Sequence, residues 1–228
     1  MSSFVSKTET DQWTGAPLAK GGSRRLPLYF MLDFSCSARE EFVKWASQQV
    51  EGVANTLKQK AEKARKIFEG SPVFYTVIAF RSTPLQLQPL AAPWNYHFES
   101  LKLGKIRRQG SCALGKALAL LGKSIEQEVV LKGVDSGDVN PMVLLFVDGT
   151  PSDDWVHPLE LVVNLGAKVF VCESLQIASR ASIFREKAGK YIAGFLSSEI
   201  QSEILNRIEE GRQDIIKHGR VFGYPTIY

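Results

Sequence analysis

"LPLYFMLDFSCSARE", residues 26–40, begins as one kind of segment and ends as another. From Leu26 to Phe34 nearly every side chain is apolar, on both faces of an extended chain. That predicts a strand over 26–34, buried on its two sides. Such a strand belongs to a parallel sheet covered by helices, because a sheet with one wet face would alternate polar with apolar residues. Asp33, Ser35 and Ser37 occupy alternate positions at its end. Three oxygen-bearing side chains there are more than a core requires.

Working outward, apolar residues recur at Phe42, Trp45, Ala46, Val53, Leu57, Ala61, Ala64 and Phe68, with Gln49 as a polar exception. This is helical spacing over 38–68, with Lys58, Lys60, Lys63 and Lys66 toward water. "VFYTVIAF" (73–80) reads as a second buried strand, and "LQLQPL" (85–90) alternates as a half-exposed edge strand does. A helix over 112–130, a strand over 141–148 and the helical "PLELVVNL" follow. A strand over 167–174, a short helix near 179–188, a strand over 190–196 and a last helix near 198–217 complete the alternation. The pattern predicts a doubly wound α/β fold: a mostly parallel central sheet, helices on both faces and one antiparallel edge strand. Residues 1–23 read as a flexible polar arm, 24–217 as the domain and 218–228 as an aromatic tail.

At 228 residues, with 44% hydrophobic and 23% charged residues, the composition is that of one large globular domain with a sizeable core. The net charge of +4 is mild, and the basic stretch at Lys102, Lys105, Arg107 and Arg108 reads as a solvated loop, so nucleic acid is not the expected partner. Cys36, Cys112 and Cys172 are too few and too scattered for a disulfide framework or a zinc site, and His97, His157 and His218 show no ligand spacing. No run has the length of a secretory leader's apolar core or of a membrane span. The expected location is cytoplasmic, away from any membrane.

In open α/β sheets ligands bind beyond the carboxyl ends of the strands. Asp33, Ser35 and Ser37 lie at one such end and Asp148 of "LLFVDGTPSDDW" at another, with "RQGSCALGKAL" (108–118) as a loop and helix start between them in sequence. Carboxylate and hydroxyl oxygens suit magnesium, a hard cation that favours octahedral oxygen and keeps part of its hydration. Taken singly, each residue has a plainer use: Asp33 ends a strand, Ser35 or Ser37 caps a helix, Asp148-Gly149 makes a turn. Asp153 and Asp154 are expected to cap the next helix and hold its loop.

The set, in this order, resembles the von Willebrand factor type A domain and its metal-ion-dependent adhesion site. That family's motif is D-x-S-x-S at the first strand end, a Thr in a middle loop and an Asp after a later apolar strand. The resemblance is closest to bacterial tellurium-resistance-type members, through "RRLP" (24–27), "GSCALG" (110–115) and "DGTPSDDW" (148–155), and covers roughly residues 24–210. It implies a Mg2+ site at Asp33, Ser35, Ser37 and Asp148, with Gly110, Ser111, Gly149, Asp153 and Asp154 supporting it. Cys112 stands where the family has its middle-loop Thr, and Cys36 where it has a Gly between the serines. A thiol is a poor magnesium ligand, which makes Cys112 a weak or substituted position. The implied function is a non-enzymatic interaction module whose metal takes a carboxylate from a partner protein. The implied setting is a stress-response, tellurium-resistance-type or phosphorylation-linked system, with a kinase or phosphatase as candidate partner.

The rival reading is a nucleotide hydrolase. Residues 110–117, "GSCALGKA", match the phosphate-loop pattern G-x-x-x-x-G-K-[ST] except at Ala117. That reading uses Gly110 to Lys116 with Asp148, and it lacks a buried strand ahead of the loop.

Overall fold

A computed structural model of the protein describes residues 25–65, 73–95, 103–130, 138, 140–172, 181–196 and 200–219. The predicted arm over 1–23 lies outside the described residues, as do Lys66, Phe68, His97, Lys102 and most of the tail.

The strands are β1 (Leu26–Asp33), β2 (Val73–Phe80), β3 (Leu85–Gln86), β4 (Met142–Phe146), β5 (Lys168–Cys172) and β6 (Ile192–Leu196). The helices are α1 (Glu40–Arg65), α2 (Leu114–Ile125), α3 (Val156–Asn164), α4 (Ala181–Ala188) and α5 (Ile200–Gly219). The sheet order is β3-β2-β1-β4-β5-β6. Every neighbouring pair is parallel except β2 with β3. The doubly wound α/β fold expected from the alternation is the fold observed.

The two-residue period of the strands sorts the core into two layers. Leu28, Phe30 and Leu32 of β1 and Leu144 and Phe146 of β4 share one layer with the buried stripe of α1 and with Ile204 and Ile208 of α5. Tyr29 and Met31 of β1 and Val143 and Leu145 of β4 share the other with α2, α3 and Phe184 of α4. Asp33 has the parity of Tyr29 and Met31, so it ends β1 on the α2 side. The stripe of α1 is wider than the sequence spacing suggests: Val43, Val50 and Ala54 are buried as well, and Gln49 is half-buried.

Two boundaries differ from the sequence reading for local reasons. The edge strand expected over 85–90 is two residues long. Pro89 has no N–H, the Thr76 hydroxyl donates to the Gln88 carbonyl, and the Glu128 carboxylate accepts the Leu90 N–H. Side chains thus satisfy backbone groups that a ladder would otherwise pair. The helix expected from 112 begins at Leu114, because Cys112 is held in a parallel bridge with Pro151. Its last turn, Glu126–Val130, is π-helical. Among the described residues no helix is long and apolar enough to cross a membrane.

Candidate metal centre

β1 pairs with β2 on one side and β4 on the other, and the chain leaves β1 for the α1 face but β4 for the α3 face. This reversal opens a crevice beyond the ends of β1 and β4. Leu32 is in register with Phe146, so Asp33 and Asp148 emerge side by side there. Both are buried, each only 2% exposed.

The first carboxylate is held almost wholly by backbone. Asp33 Oδ1 accepts the Ser35 N–H at 2.9 Å, and Oδ2 accepts the Gly149 N–H at 2.8 Å and the Asp148 N–H at 3.4 Å. The chain after β1 therefore folds back on its own aspartate, and the loop after β4 closes on the same group. Ser35 and Ser37 stand with their hydroxyls 3.0 Å apart. Ser35 is buried and Ser37 is exposed.

Gly149 keeps a space open among these oxygens. A Cβ there would sit 2.4 Å from Ser37 Oγ, 2.7 Å from Ser35 Oγ and 2.8 Å from Asp33 Oδ2. The three heavy atoms nearest that missing atom are all oxygens. The donor set fits a hard divalent cation. It consists of one carboxylate oxygen and two hydroxyls, with Asp148 alongside, so it is distinct from a cluster of three or more His, Cys, Asp or Glu ligands, of which there is none among the described residues.

Cys112 reaches this centre as well. Its thiol donates to Asp33 Oδ2 at 3.6 Å. Burial, and then the negative charge of Asp33, push the thiol well up from its ordinary 9.0, so the sulfur stays protonated. It meets the cradle as a donor to a carboxylate. Cys36 is exposed, and its N–H donates to the Gly110 carbonyl at 2.9 Å, which seats the two cysteine-bearing loops next to each other.

The supporting loop has its own anchors. Gly110 has φ +69°, and a Cβ on it would lie 2.1 Å from Ser82 Oγ. Ser111 N–H donates to that same Ser82 hydroxyl at 2.9 Å. Gly110 and Ser111 thus fasten the middle loop to the segment after β2. Asp153 departs from the expectation that it caps the next helix. It caps α2, which precedes it in the chain, accepting the N–H groups of Gly115 at 2.9 Å and Lys116 at 3.0 Å. The reason is proximity: Ser152 N–H and Oγ both bond the Cys112 carbonyl, at 2.8 and 3.1 Å, and bring the next residue onto the open start of α2. Asp154 does serve its own helix, accepting the Val156 N–H at 3.2 Å.

One residue was missed altogether by the motif reading. Arg39 donates its backbone N–H (2.8 Å) and Nε (3.1 Å) to Asp148 Oδ2 and its Nη2 (3.1 Å) to Oδ1. The Asp148 side chain has no exposure, whereas that of Arg39 is 41% exposed. These hydrogen bonds also raise the basicity of Arg39 above its ordinary value. The signal available in the sequence was a lone arginine two residues past Ser37, followed by Glu40 and Glu41, with nothing local that points to Asp148.

No model of a known protein family matches the chain, and no curated protein matches it. Solved structures do. The conserved hypothetical protein BatB from Bacteroides thetaiotaomicron is 14% identical, with 84% of this chain and 99% of that one covered, at a TM-score of 0.56. The SpRpn10 VWA domain is 9% identical, with coverages of 80% and 95% and a TM-score of 0.52. Proximal thread matrix protein 1 from the mussel byssus, in a form whose MIDAS motif is occupied by zinc, is 14% identical, with coverages of 79% and 46% and a TM-score of 0.52. At 9–14% identity these likenesses concern the fold alone, and it is a fold that this chain shares with the SpRpn10 VWA domain.

Proposed function

We propose that the protein is an interaction module that binds a carboxylate of a partner protein through a divalent cation, magnesium being the best match to the oxygen donors. The observation that carries this reading is the cradle beside Gly149, where buried Asp33 meets the Ser35 and Ser37 hydroxyls next to Asp148. Asp33, Ser35 and Ser37 would hold the ion, with Asp148 neighbouring it. When bound, the ion supplies positive charge with a coordination position for an acidic side chain. The protein's own groups set the rest. Backbone N–H groups fix Asp33, Gly149 leaves room for the ion, and the loops of residues 35–39 and 149–155 border the approach. A contact of this kind is charge-assisted and directional, so it gives selectivity at one point of an interface. The zinc-occupied motif of the mussel protein, on the same fold, lends support to a divalent ion here.

The finer setting belongs to the same proposal: a cytoplasmic, bacterial, tellurium-resistance-type or phosphorylation-linked stress system, with a kinase or phosphatase as candidate partner. It rests on the sequence resemblance, and the three thiols are consistent with a reducing compartment. The nucleotide-hydrolase reading has less support. The Gly115 and Lys116 N–H groups that a phosphate would need are donated to Asp153, and a negative carboxylate at the start of α2 repels a second anion.

Calorimetric titration with Mg2+ tests the proposal. The parent is expected to bind one ion per chain, and Asp33→Ala to stay folded and bind none. Capture of a partner should then fail with chelator and with Asp33→Ala alike. Metal-independent binding by folded Asp33→Ala would overturn the reading, and saturable ATP binding lost in Lys116→Ala would favour the rival.

A further inference from the structure

The reading of the site as a cation cradle leaves Arg39 unexplained, and the inference that follows rests on that reading. Both oxygens of Asp148 are engaged by Arg39, one by Nη2 and the other by Nε and the backbone N–H, at 2.8–3.1 Å. Asp148 is buried, so its charge has little help from water, and a fork of planar N–H donors is the geometry that best matches a carboxylate. From this we infer that Arg39 is a resident cation of the site. Its guanidinium and a divalent ion are alternative counter-charges for Asp148, and metal binding requires Arg39 to let go.

Charge and access both lead there. Without Arg39, two buried carboxylates at adjacent strand ends would face a dication with two negative charges. With Arg39 docked, one of the two is neutralised by an arginine that remains ionised at every ordinary pH. A dication entering beside Gly149 meets a weaker field and a positive group that it repels. Hydrogen bonding adds to this, since an ion or its water can approach Asp148 only at an oxygen that Arg39 already holds. Movement is feasible because the two partners differ in burial. The Asp148 side chain has no exposure, while the Arg39 side chain is 41% exposed and can swing toward solvent. The Arg39 backbone N–H, fixed at the entrance to α1, stays on Oδ2 through such a swing and keeps Asp148 placed. The chain thus carries a two-position latch: closed on Asp148 without metal, and open, with a guanidinium beside the cradle, when a dication is bound.

The test compares the full chain with Arg39→Gln and Arg39→Lys by Mg2+ and Mn2+ calorimetry and by thermal melting in chelator and in excess Mg2+. Arg39→Gln removes the charge. It is expected to bind Mg2+ at least tenfold more tightly than the parent, to melt lower than the parent in chelator, and to recover most of that loss in excess Mg2+. Arg39→Lys keeps the charge without the fork and is expected to fall between the two in affinity. Should Arg39→Gln fail to fold, Arg39→Lys decides alone: tighter binding than the parent supports the latch, and equal or weaker binding overturns it. Equal Mg2+ affinity in the parent and Arg39→Gln would also overturn the latch while leaving the metal-dependent function standing. No binding by any of the three, with no rescue of melting, would remove both.

Discussion

Cys112 gives its thiol hydrogen to Asp33 Oδ2 across 3.6 Å, joining the middle loop to the end of β1 through a sulfur that burial keeps protonated. Thiolate is the reactive form, so reactivity should follow this geometry. At pH 8 an alkylating reagent is expected to modify exposed Cys36 rapidly, and buried Cys112 and Cys172 only once denaturant is present. Mass spectrometry of the labelled native protein checks this, and prompt labelling of Cys112 would contradict its placement.

The same shift has a pH consequence. The folded-state value of Cys112 is raised above its ordinary 9.0, as that of Tyr29 is raised by burial above 10.0. A group raised in this way contributes stability fully below its ordinary value and loses it as pH climbs beyond. Unfolding midpoints are therefore expected to hold up to about pH 9 and to fall above it. With Cys112→Ala the onset should move toward the tyrosine range.

Cys112→Ser tests the place where the chain departs from the motif that it resembles. A hydroxyl is a harder donor than a thiol and can keep the bond to Asp33 Oδ2. Magnesium affinity is expected to rise several-fold, up to about tenfold, which is ~1.4 kcal/mol. Calorimetry measures it directly, and unchanged affinity in both Cys112→Ser and Cys112→Ala would mean that the side chain has no influence on the ion.

Gly149→Ala should separate binding from folding. The added Cβ would press on two serine hydroxyls and one carboxylate oxygen. The hydroxyls can rotate aside, so the fold is expected to survive with a loss of about 1–3 kcal/mol. The space for the ion does not survive that rotation. Circular dichroism should remain native while Mg2+ binding disappears.

Asp153→Ala removes the acceptor for two N–H groups at the start of α2. A lost cap typically costs about 1 kcal/mol, which for a domain of this size lowers Tm by roughly 2–4 °C. Asp154→Ala should cost less, since it accepts one exposed N–H at 3.2 Å. The order of the two melting temperatures is the measurement.

Much of the fold was legible because it rests on local regularities. Apolar runs at 26–32, 73–80 (interrupted only by Thr76) and 142–146 read as strands covered on both sides, and their alternation with helical periodicity leaves few topologies. The meeting of Asp33 with Asp148 followed from the rule for strand ends in such sheets. What stayed hidden depended on contacts between distant parts of the chain. Arg39 and Asp148 are 109 positions apart, and no period or motif links them. Asp153 turned to α2, away from its own helix, because the Cys112 carbonyl holds Ser152, a bond that spacing does not encode. The edge strand shortened because Thr76 and Glu128 compete for the backbone around Pro89. Propensity sees the strand-like alternation of 85–90 and cannot see the competitors.

Asp154's carbonyl comes so near Gly115 that a Cβ there would lie 1.9 Å from it. Together with the Ser152 and Asp153 bonds, this close approach welds the loop after β4 to the beginning of α2. A helix of 12 residues spans about 18 Å. Beyond its far end the π-helical turn carries Glu128, which takes the Ser124 hydroxyl at 2.9 Å and the Gln86 side-chain amide at 3.0 Å. Mechanically, α2 is a strut with both ends pinned: one to the rim of the cradle, the other to the edge of the sheet. A load applied by a partner to residues 149–154 travels down that strut and is borne by the outermost strand.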